Sequence, residues 1–125
     1  MNPAATRWQR AEGAGLALGG LVVAVLAAPG WGAWLWVALL LAPDLTMAGY
    51  LVGPRIGAVL YNLGHLYAPA FLLAVLGVAL GSTALIAGGG LWLAHIGFDR
   101  ALGFGLKLPS GFRDTHLGRA GRKPE

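Results

Sequence analysis

The sequence contains no cysteine, which excludes a disulfide framework, a thiolate metal site and a cysteine nucleophile. Charge is nearly as scarce, because only 11% of the 125 residues are charged, whereas a soluble domain carries about 25%. Hydrophobic residues make up 57% of the chain, so too few polar groups remain to cover a globular surface. We therefore expect one domain that uses lipid as its solvent over most of its length.

Long stretches without charge organise the chain. No residue is charged between Glu12 and Asp44 or between Arg55 and Asp99, which are ranges of 31 and 43 residues. A helix needs about 20 residues to cross the hydrocarbon core, so each range fits a hairpin of two helices. We predict an all-α, integral membrane four-helix bundle in a single domain, with spans at about 8–28, 31–51, 55–80 and 83–105 and a short C-terminal segment at 106–125.

The positive charges predict the orientation of these spans. All nine lysines and arginines fall in the N-terminus, the central turn or the C-terminal segment: Arg7, Arg10, Arg55, Arg100, Lys107, Arg113, Arg119, Arg122 and Lys123. In a four-span arrangement these three regions share one side of the membrane, which the positive-inside rule identifies as the cytoplasm. We expect a multi-pass protein with both termini cytoplasmic. Anionic lipid is a natural partner for such a surface, and no nucleic-acid partner is needed to explain the basic charge.

Several polar residues interrupt the spans at one common depth. Counted from Pro54, Asp44 lies ten residues before and His65 eleven residues after, while His65 and Asp99 are equally distant from the turn near residue 82. His95 lies four residues before Asp99, so both side chains project from one helix face. An ionisable group inside a membrane span is costly unless it is paired, hydrated or facing protein. The shared depth therefore predicts one connected polar site near the cytoplasmic side.

Imidazoles and carboxylates are the ligands of zinc and similar divalent metals. The candidate metal ligands are His65, His95, His116, Asp44 and Asp99. Asp44 and Asp99 are also the candidate catalytic residues, since a carboxylate that does not bind the metal can act as a general base. Arg100, Lys107 and Asn62 are candidate substrate contacts, with Arg100 or Lys107 as the anchor for an anion. His116 reaches the site only if the C-terminal segment folds back onto the bundle.

Each of these polar residues also has a purely structural interpretation. Asp44 can cap a bend after Pro43, and His65 with Asn62 can form hydrogen bonds between helices. His95 can donate to a backbone carbonyl, and Asp99 can pair with a nearby arginine. On this alternative the chain is a non-catalytic membrane protein that serves binding, assembly or small-ion permeation. Four helices are few for a permeation pathway, so that role would require a homo-oligomer.

Three segments resemble a known family: "RAEG" (10–13), "APDLTMAGYLVGPRIGAVLYNLGHLYAPA" (42–70) and "AHIGFDRALGFGLKLPSGFRDTHLGR" (94–119). They are similar to the small bacterial membrane proteins grouped as domain of unknown function 4260. The resemblance implies a four-helix protein of the bacterial inner membrane and supplies no activity. A further likeness, to inner-membrane proteins described as metal-dependent hydrolases, rests on an arginine followed by the Thr115-His116 pair. Together with the polar layer, it favours metal-dependent hydrolysis of a membrane-associated lipid ester or phosphoester.

Overall fold

The computed structural model describes residues 2–121; Arg122 and Lys123, which were counted among the topology signals, lie outside them. The described chain forms four helical stretches followed by a small sheet. The stretches are α1 (Pro3–Ala27), α2 (Ala33–Leu41) continued by a 3-10 helix (Ala42–Leu51), α3 (Pro54–Gly64) followed closely by α4 (Tyr67–Leu80), and α5 (Thr83–Leu102). The strands are β1 (Lys107–Leu108), β2 (Gly111–Thr115) and β3 (Gly118–Arg119).

The predominantly helical architecture is confirmed. Within residues 2–121, three stretches are long and apolar enough to cross a membrane, namely Pro3–Ala27, Ala33–Leu51 and Pro54–Leu80. The remaining stretch, α5, has a more polar composition because it carries three consecutive glycines together with His95, Asp99 and Arg100. Nine of its 20 residues are buried, which is more than in any other described helix.

Helix α5 lies at the centre of the bundle, where it packs mainly against α1 and α4. Glycines allow α1 to approach it closely. A Cβ atom added at Gly90 would lie 2.7 Å from the carbonyl oxygen of Gly20, and one added at Gly97 would lie 2.6 Å from that of Gly13. Backbone contact of this kind is typical of membrane helices that pack through small residues. It holds the polar residues of α5 in a defined position between the other helices.

The expectation of an all-α chain misses the C-terminal sheet. Gly103 ends α5 in a left-handed conformation (φ 94°), and the chain then turns back as the antiparallel strands β1, β2 and β3. The strands contain two to five residues, too few to show a strand periodicity in the sequence. Asn62 attaches the first strand to α3: its amide donates to the carbonyl of Lys107 (2.9 Å) and accepts from the Lys107 N–H (2.7 Å). The C-terminal segment therefore folds against the bundle.

Candidate metal centre

Pro43, in the second helical stretch, changes the backbone hydrogen bonding beside the site. At residue 42 the α-helix tightens into a 3-10 helix, in which each N–H bonds to the carbonyl three residues earlier. Pro43 has no N–H to offer to the carbonyl of Leu40. That carbonyl accepts a hydrogen bond from Nδ1 of His95 instead (2.7 Å). Pro43 therefore leaves free the oxygen that orients His95, and Asp44 follows it directly in the chain.

A second proline interrupts the third stretch at the site. Pro69 would clash with the carbonyl four residues earlier, that of His65, if the helix continued, and the chain instead breaks between α3 and α4. Carbonyls exposed by a break in an apolar region need partners. Arg100 donates to the carbonyl of His65 (2.9 Å), and the Trp92 indole donates to that of Gly64 (2.6 Å). Two side chains of α5 thus stabilise the break that presents His65.

Hydrogen bonds assign the tautomers of both histidines. Nδ1 of His65 lies 2.8 Å from the carbonyl oxygen of Tyr61, as Nδ1 of His95 does from that of Leu40. A carbonyl oxygen only accepts, so both Nδ1 atoms carry hydrogen. In a neutral ring the Nε2 atom then carries a lone pair that can bind a metal ion or accept a hydrogen bond. Histidine ligands of metals are usually held in this way, through the nitrogen that does not bind the ion.

The two Nε2 atoms face two carboxylates. They lie 3.2 Å from each other, and they lie 3.4 Å (His65) and 3.2 Å (His95) from Oδ1 of Asp44. Their distances to Oδ2 of Asp99 are 3.4 Å and 3.7 Å. The four side chains offer ligand atoms that all lie within 4.8 Å of one another. Two imidazole nitrogens and two carboxylate oxygens therefore converge, an arrangement that a shared cation, either a metal ion or a proton, would stabilise.

These separations fit a small divalent metal. Tetrahedral zinc with bonds of about 2.0–2.2 Å keeps its ligand atoms about 3.3–3.6 Å apart; the Nε2 atoms of His65 and His95 lie 3.2 Å from each other and 3.4 Å and 3.7 Å from Oδ2 of Asp99. The Tyr61 hydroxyl donates to Oδ2 of Asp99 (3.1 Å), a supporting hydrogen bond of the kind that orients metal-binding carboxylates. The spacing of these three donors is compatible with a zinc ion.

The carboxylates, but not the histidines, open onto a cleft. Side-chain exposure is 41% for Asp44 and 19% for Asp99, against 0% for His65 and 7% for His95. The cleft has a volume of about 490 Å³ and is lined by Asp44, Met47, Tyr61, Asp99, Phe104, Lys107, Phe112, Arg113, Ala120 and Gly121. The four-residue cluster therefore has a closed side formed by imidazoles and an accessible side formed by carboxylates.

Lys107, one of the predicted substrate contacts, lines this cleft. The residue is only 5% exposed, and its Nζ atom lies 4.0 Å from the centre of the Phe112 ring and 4.9 Å from that of Tyr61. Burial lowers the pKa of the ammonium group, and the charges of Asp99 and Asp44 act against that shift. The hydrogen bonds of Asn62 to the Lys107 backbone hold this segment in place.

The other predicted substrate contacts have structural partners. Both polar atoms of the Asn62 side chain bond to the backbone of Lys107. Arg100 is 4% exposed, and it donates to the carbonyls of His65 and Phe104, both at 2.9 Å. Neither side chain lines the cleft beside the cluster. The structure therefore places Asn62 and Arg100 where they support the site from outside.

His116 returns to the bundle but does not join the cluster. Its Nδ1 atom accepts from the N–H of Leu106 (2.8 Å), so Nε2 carries the hydrogen and faces Oε1 of Gln9 (3.2 Å). Burial lowers the pKa of this imidazole, and the nearby Arg100 charge lowers it further. It lines a separate cavity of about 170 Å³, which His65 and Arg100 also line. The cluster of ligand atoms comprises Asp44, His65, His95 and Asp99 without it.

Two contributors to the site were missed by sequence reasoning. Trp92 lies three residues before His95 on α5, and that spacing on one helix face was the available signal for its role beside the break. Arg113 was explained as a topology signal, yet it lines the cleft with Phe112. Only a prediction of the hairpin formed by β1 and β2 could have shown that Phe112 and Arg113 lie beside the cluster.

The family model described as "Domain of unknown function (DUF4260)" matches residues 6–120. No curated protein and no solved structure gives a significant match to the chain.

Proposed function

The chain belongs to the DUF4260 family, and we propose that it is a membrane-embedded, metal-dependent hydrolase acting on a membrane-associated ester or phosphoester. The observation that carries this proposal is the convergence of four electron-pair donors from three helical stretches, with both histidines oriented by backbone carbonyls. Side chains that served only as hydrogen bonds between helices would pair separately, with a donor opposite each acceptor. The convergence therefore favours a metal site over the non-catalytic interpretation.

The exposure of each side chain suggests its role. His65, His95 and Asp99 form the less exposed part of the cluster, and three protein ligands with an open fourth position are typical of catalytic zinc. A divalent metal bound there supplies an acidified water and polarises the ester oxygen. Asp44 is the carboxylate most exposed to the cleft, and it serves as the general base. It takes a proton from the attacking water and returns it to the leaving oxygen, so that water and ester yield an acid and an alcohol.

The proposed arrangement in the membrane uses all four helical stretches. Helix α5 inserts with the three more apolar stretches, because His95 and Asp99 face the cluster while its glycines pack against α1 and α4. Both termini then lie on the cytoplasmic side of a bacterial inner membrane, since in a four-span arrangement the three regions that carry the lysines and arginines share one side. Exposed arginines such as Arg7 and Arg10 contact anionic lipid there. The cleft opens at this interface, where a lipid-derived substrate is available.

Metal analysis of the purified full chain tests the proposal. We expect about one zinc ion per chain after reconstitution, and loss of that ion in His95→Ala. His116→Ala is the matched control, because it removes an imidazole that lies against the bundle outside the cluster. The control should keep its metal. Parent protein that takes up no stoichiometric zinc, cobalt or manganese would refute the metal centre and with it the hydrolase.

A further inference from the structure

The Lys107 ammonium group is buried in the cleft without an anionic partner. It lies against the faces of Phe112 and Tyr61, and no carboxylate of the described residues forms a salt bridge with it. Asp99 and Asp44 line the same cleft and favour this charge, but neither forms a salt bridge with it, so its burial remains costly. A negatively charged group that enters the cleft could contact the ammonium group directly.

We infer that the cleft binds a phosphate-headed amphiphile, with its phosphate between the metal cluster and Lys107 and its hydrocarbon chain along Phe104 and Phe112. This inference rests on the proposed metal site and narrows its substrate class. Lysine binds phosphate as a point charge, and its stem reaches the cleft from β1 while the carboxylates reach it from the helices. The phosphate therefore has positive charge on both sides.

The charge of the cleft makes anion binding depend on the metal. Asp44 and Asp99 carry two negative charges, which Lys107 and Arg113 on the opposite wall balance. Without a bound metal ion these four charges cancel, so the cleft has no net charge to attract an anion. A bound divalent ion adds two positive charges beside Lys107, and a phosphate then neutralises the site. The inference predicts phosphate binding only in the metal-loaded protein.

The apolar wall of the cleft can accommodate the hydrocarbon chain of the amphiphile. Met47, Phe104 and Phe112 line the cleft with the charged residues, and the two phenylalanines are 39% and 48% exposed. Their rings therefore continue from the charged interior to the outer surface of the bundle. An amphiphile can place its phosphate inside while its chain stays against an apolar surface, which free phosphate cannot do.

Cobalt provides a spectroscopic test that requires no turnover. The full chain is loaded with Co²⁺ in dodecyl maltoside micelles, which contain no phosphate, and its visible absorption is followed during titration with dodecyl phosphate or inorganic phosphate. We expect dodecyl phosphate to change the cobalt spectrum and to bind at least about tenfold more tightly than inorganic phosphate, because its chain holds the headgroup in the micelle beside the cleft and so raises its effective concentration. The metal-free chain, followed by equilibrium dialysis, should bind neither probe measurably.

Matched variants separate the two parts of the cleft. Lys107→Met should keep its cobalt and lose about ten- to a hundredfold in affinity for dodecyl phosphate, because a charge-assisted hydrogen bond is removed. Lys107→Arg should recover most of that loss, and Arg119→Gln, which removes a positive charge outside the cleft, should bind like the parent. Phe104→Ala should weaken dodecyl phosphate but not inorganic phosphate. Phe98→Ala, a similarly exposed phenylalanine outside the cleft, should weaken neither.

Each outcome supports or overturns the inference. Cobalt uptake with no spectral response to either phosphate overturns it and leaves the metal centre intact, as does an unchanged affinity in Lys107→Met. Equal affinity for the two probes overturns the amphiphile and identifies a site for free phosphate. Failure of the parent to bind cobalt removes the metal centre, and this inference falls with it.

Discussion

The Nε2 atoms of His65 and His95 lie 3.2 Å apart. The Nδ1 atom of each ring donates a hydrogen bond to a backbone carbonyl. The carboxylate oxygens of Asp44 and Asp99 both lie 3.4 Å from the same nitrogen of His65. A divalent cation bound among these atoms would be attracted to all of them. This convergence, rather than the number of polar residues in the spans, is the reason that we propose a metal centre instead of separate hydrogen bonds between helices.

The two carboxylates should respond differently to the same substitution. Asp44→Asn should keep its zinc and lose hydrolysis of bis(p-nitrophenyl) phosphate by about 10²- to 10⁴-fold, the usual contribution of a general base. Asp99→Asn should lose the zinc itself, because it removes a charged ligand. Zinc content and initial rates measured on the same preparations separate the two effects. If Asp44→Asn is as poor in zinc as Asp99→Asn, Asp44 is a ligand and its assignment as base is wrong.

Close packing of α1 on α5 should make one glycine irreplaceable and another dispensable. Gly90→Ala places a Cβ atom 2.7 Å from the carbonyl oxygen of Gly20, whereas a Cβ at Gly15 meets no atom within 4 Å. We expect Gly90→Ala to lower the free energy of unfolding by about 1–3 kcal/mol through overpacking. Gly15→Ala should leave stability equal or slightly higher, since alanine is the better helix former. Unfolding in detergent, followed by circular dichroism, measures both; equal stability of the two variants would contradict this helix interface.

The pKa of His116 should appear as a pH dependence of stability. Burial and the Arg100 charge lower this pKa in the folded protein, so the unfolded chain binds a proton more readily below about pH 6.5. The contribution of His116 is therefore present above that pH and is lost as the pH falls toward the folded pKa. Protonation of Nδ1 would also break the hydrogen bond from the Leu106 N–H.

A comparison of the parent with His116→Gln separates the contribution of His116 to stability from that of other titrating groups. Glu12, Tyr67, His65 and Arg100 line the same cavity as His116 and remain in both proteins when the parent is compared with His116→Gln. Thermal unfolding at pH 7.5 and pH 5.5 should show a larger decrease for the parent than for the variant. Equal decreases would show that His116 has the same proton affinity in the folded and unfolded chains.

The four-span arrangement predicts opposite locations for two serines. Ser82 is the N-cap of α5 at the turn after α4, and Ser110 lies between β1 and β2. The chain has no cysteine, so Ser82→Cys and Ser110→Cys each introduce a single labelling site. In intact cells a membrane-impermeant maleimide should label Ser82→Cys, whereas Ser110→Cys should react only after lysis. Labelling of both from the outside would refute the arrangement.

Much of the fold was predictable because lipid imposes a simple rule on composition. The uncharged stretches between Glu12 and Asp44 and between Arg55 and Asp99 are each long enough for two helices. The polar backbone of such a stretch finds no water in the membrane, so it must form internal hydrogen bonds. The predominantly helical architecture followed from that rule. Which glycines lie at the contact between α1 and α5 did not, because a uniformly apolar helix shows no face in its sequence pattern.

Part of the site was also predictable from the depth of its residues. Counting from the turns placed Asp44, His65, His95 and Asp99 in one layer, and the structure brings these four together. Counting could not show that Asn62 and Arg100 hold the backbone around the cluster, because their partners are carbonyls and amides that become free only where a helix breaks.

The sequence by itself determined the apolar spans and the depth of the polar residues, since both depend on residue type and on distance along a helix of constant rise. The tertiary structure decided which of the three histidines face one another. His116 sits at the end of a short hairpin whose direction depends on contacts with α1 and α3, and such contacts between distant segments have no local pattern. Helix geometry therefore accounts for the layer, and packing of residues 104–121 against the helices accounts for the cleft beside it.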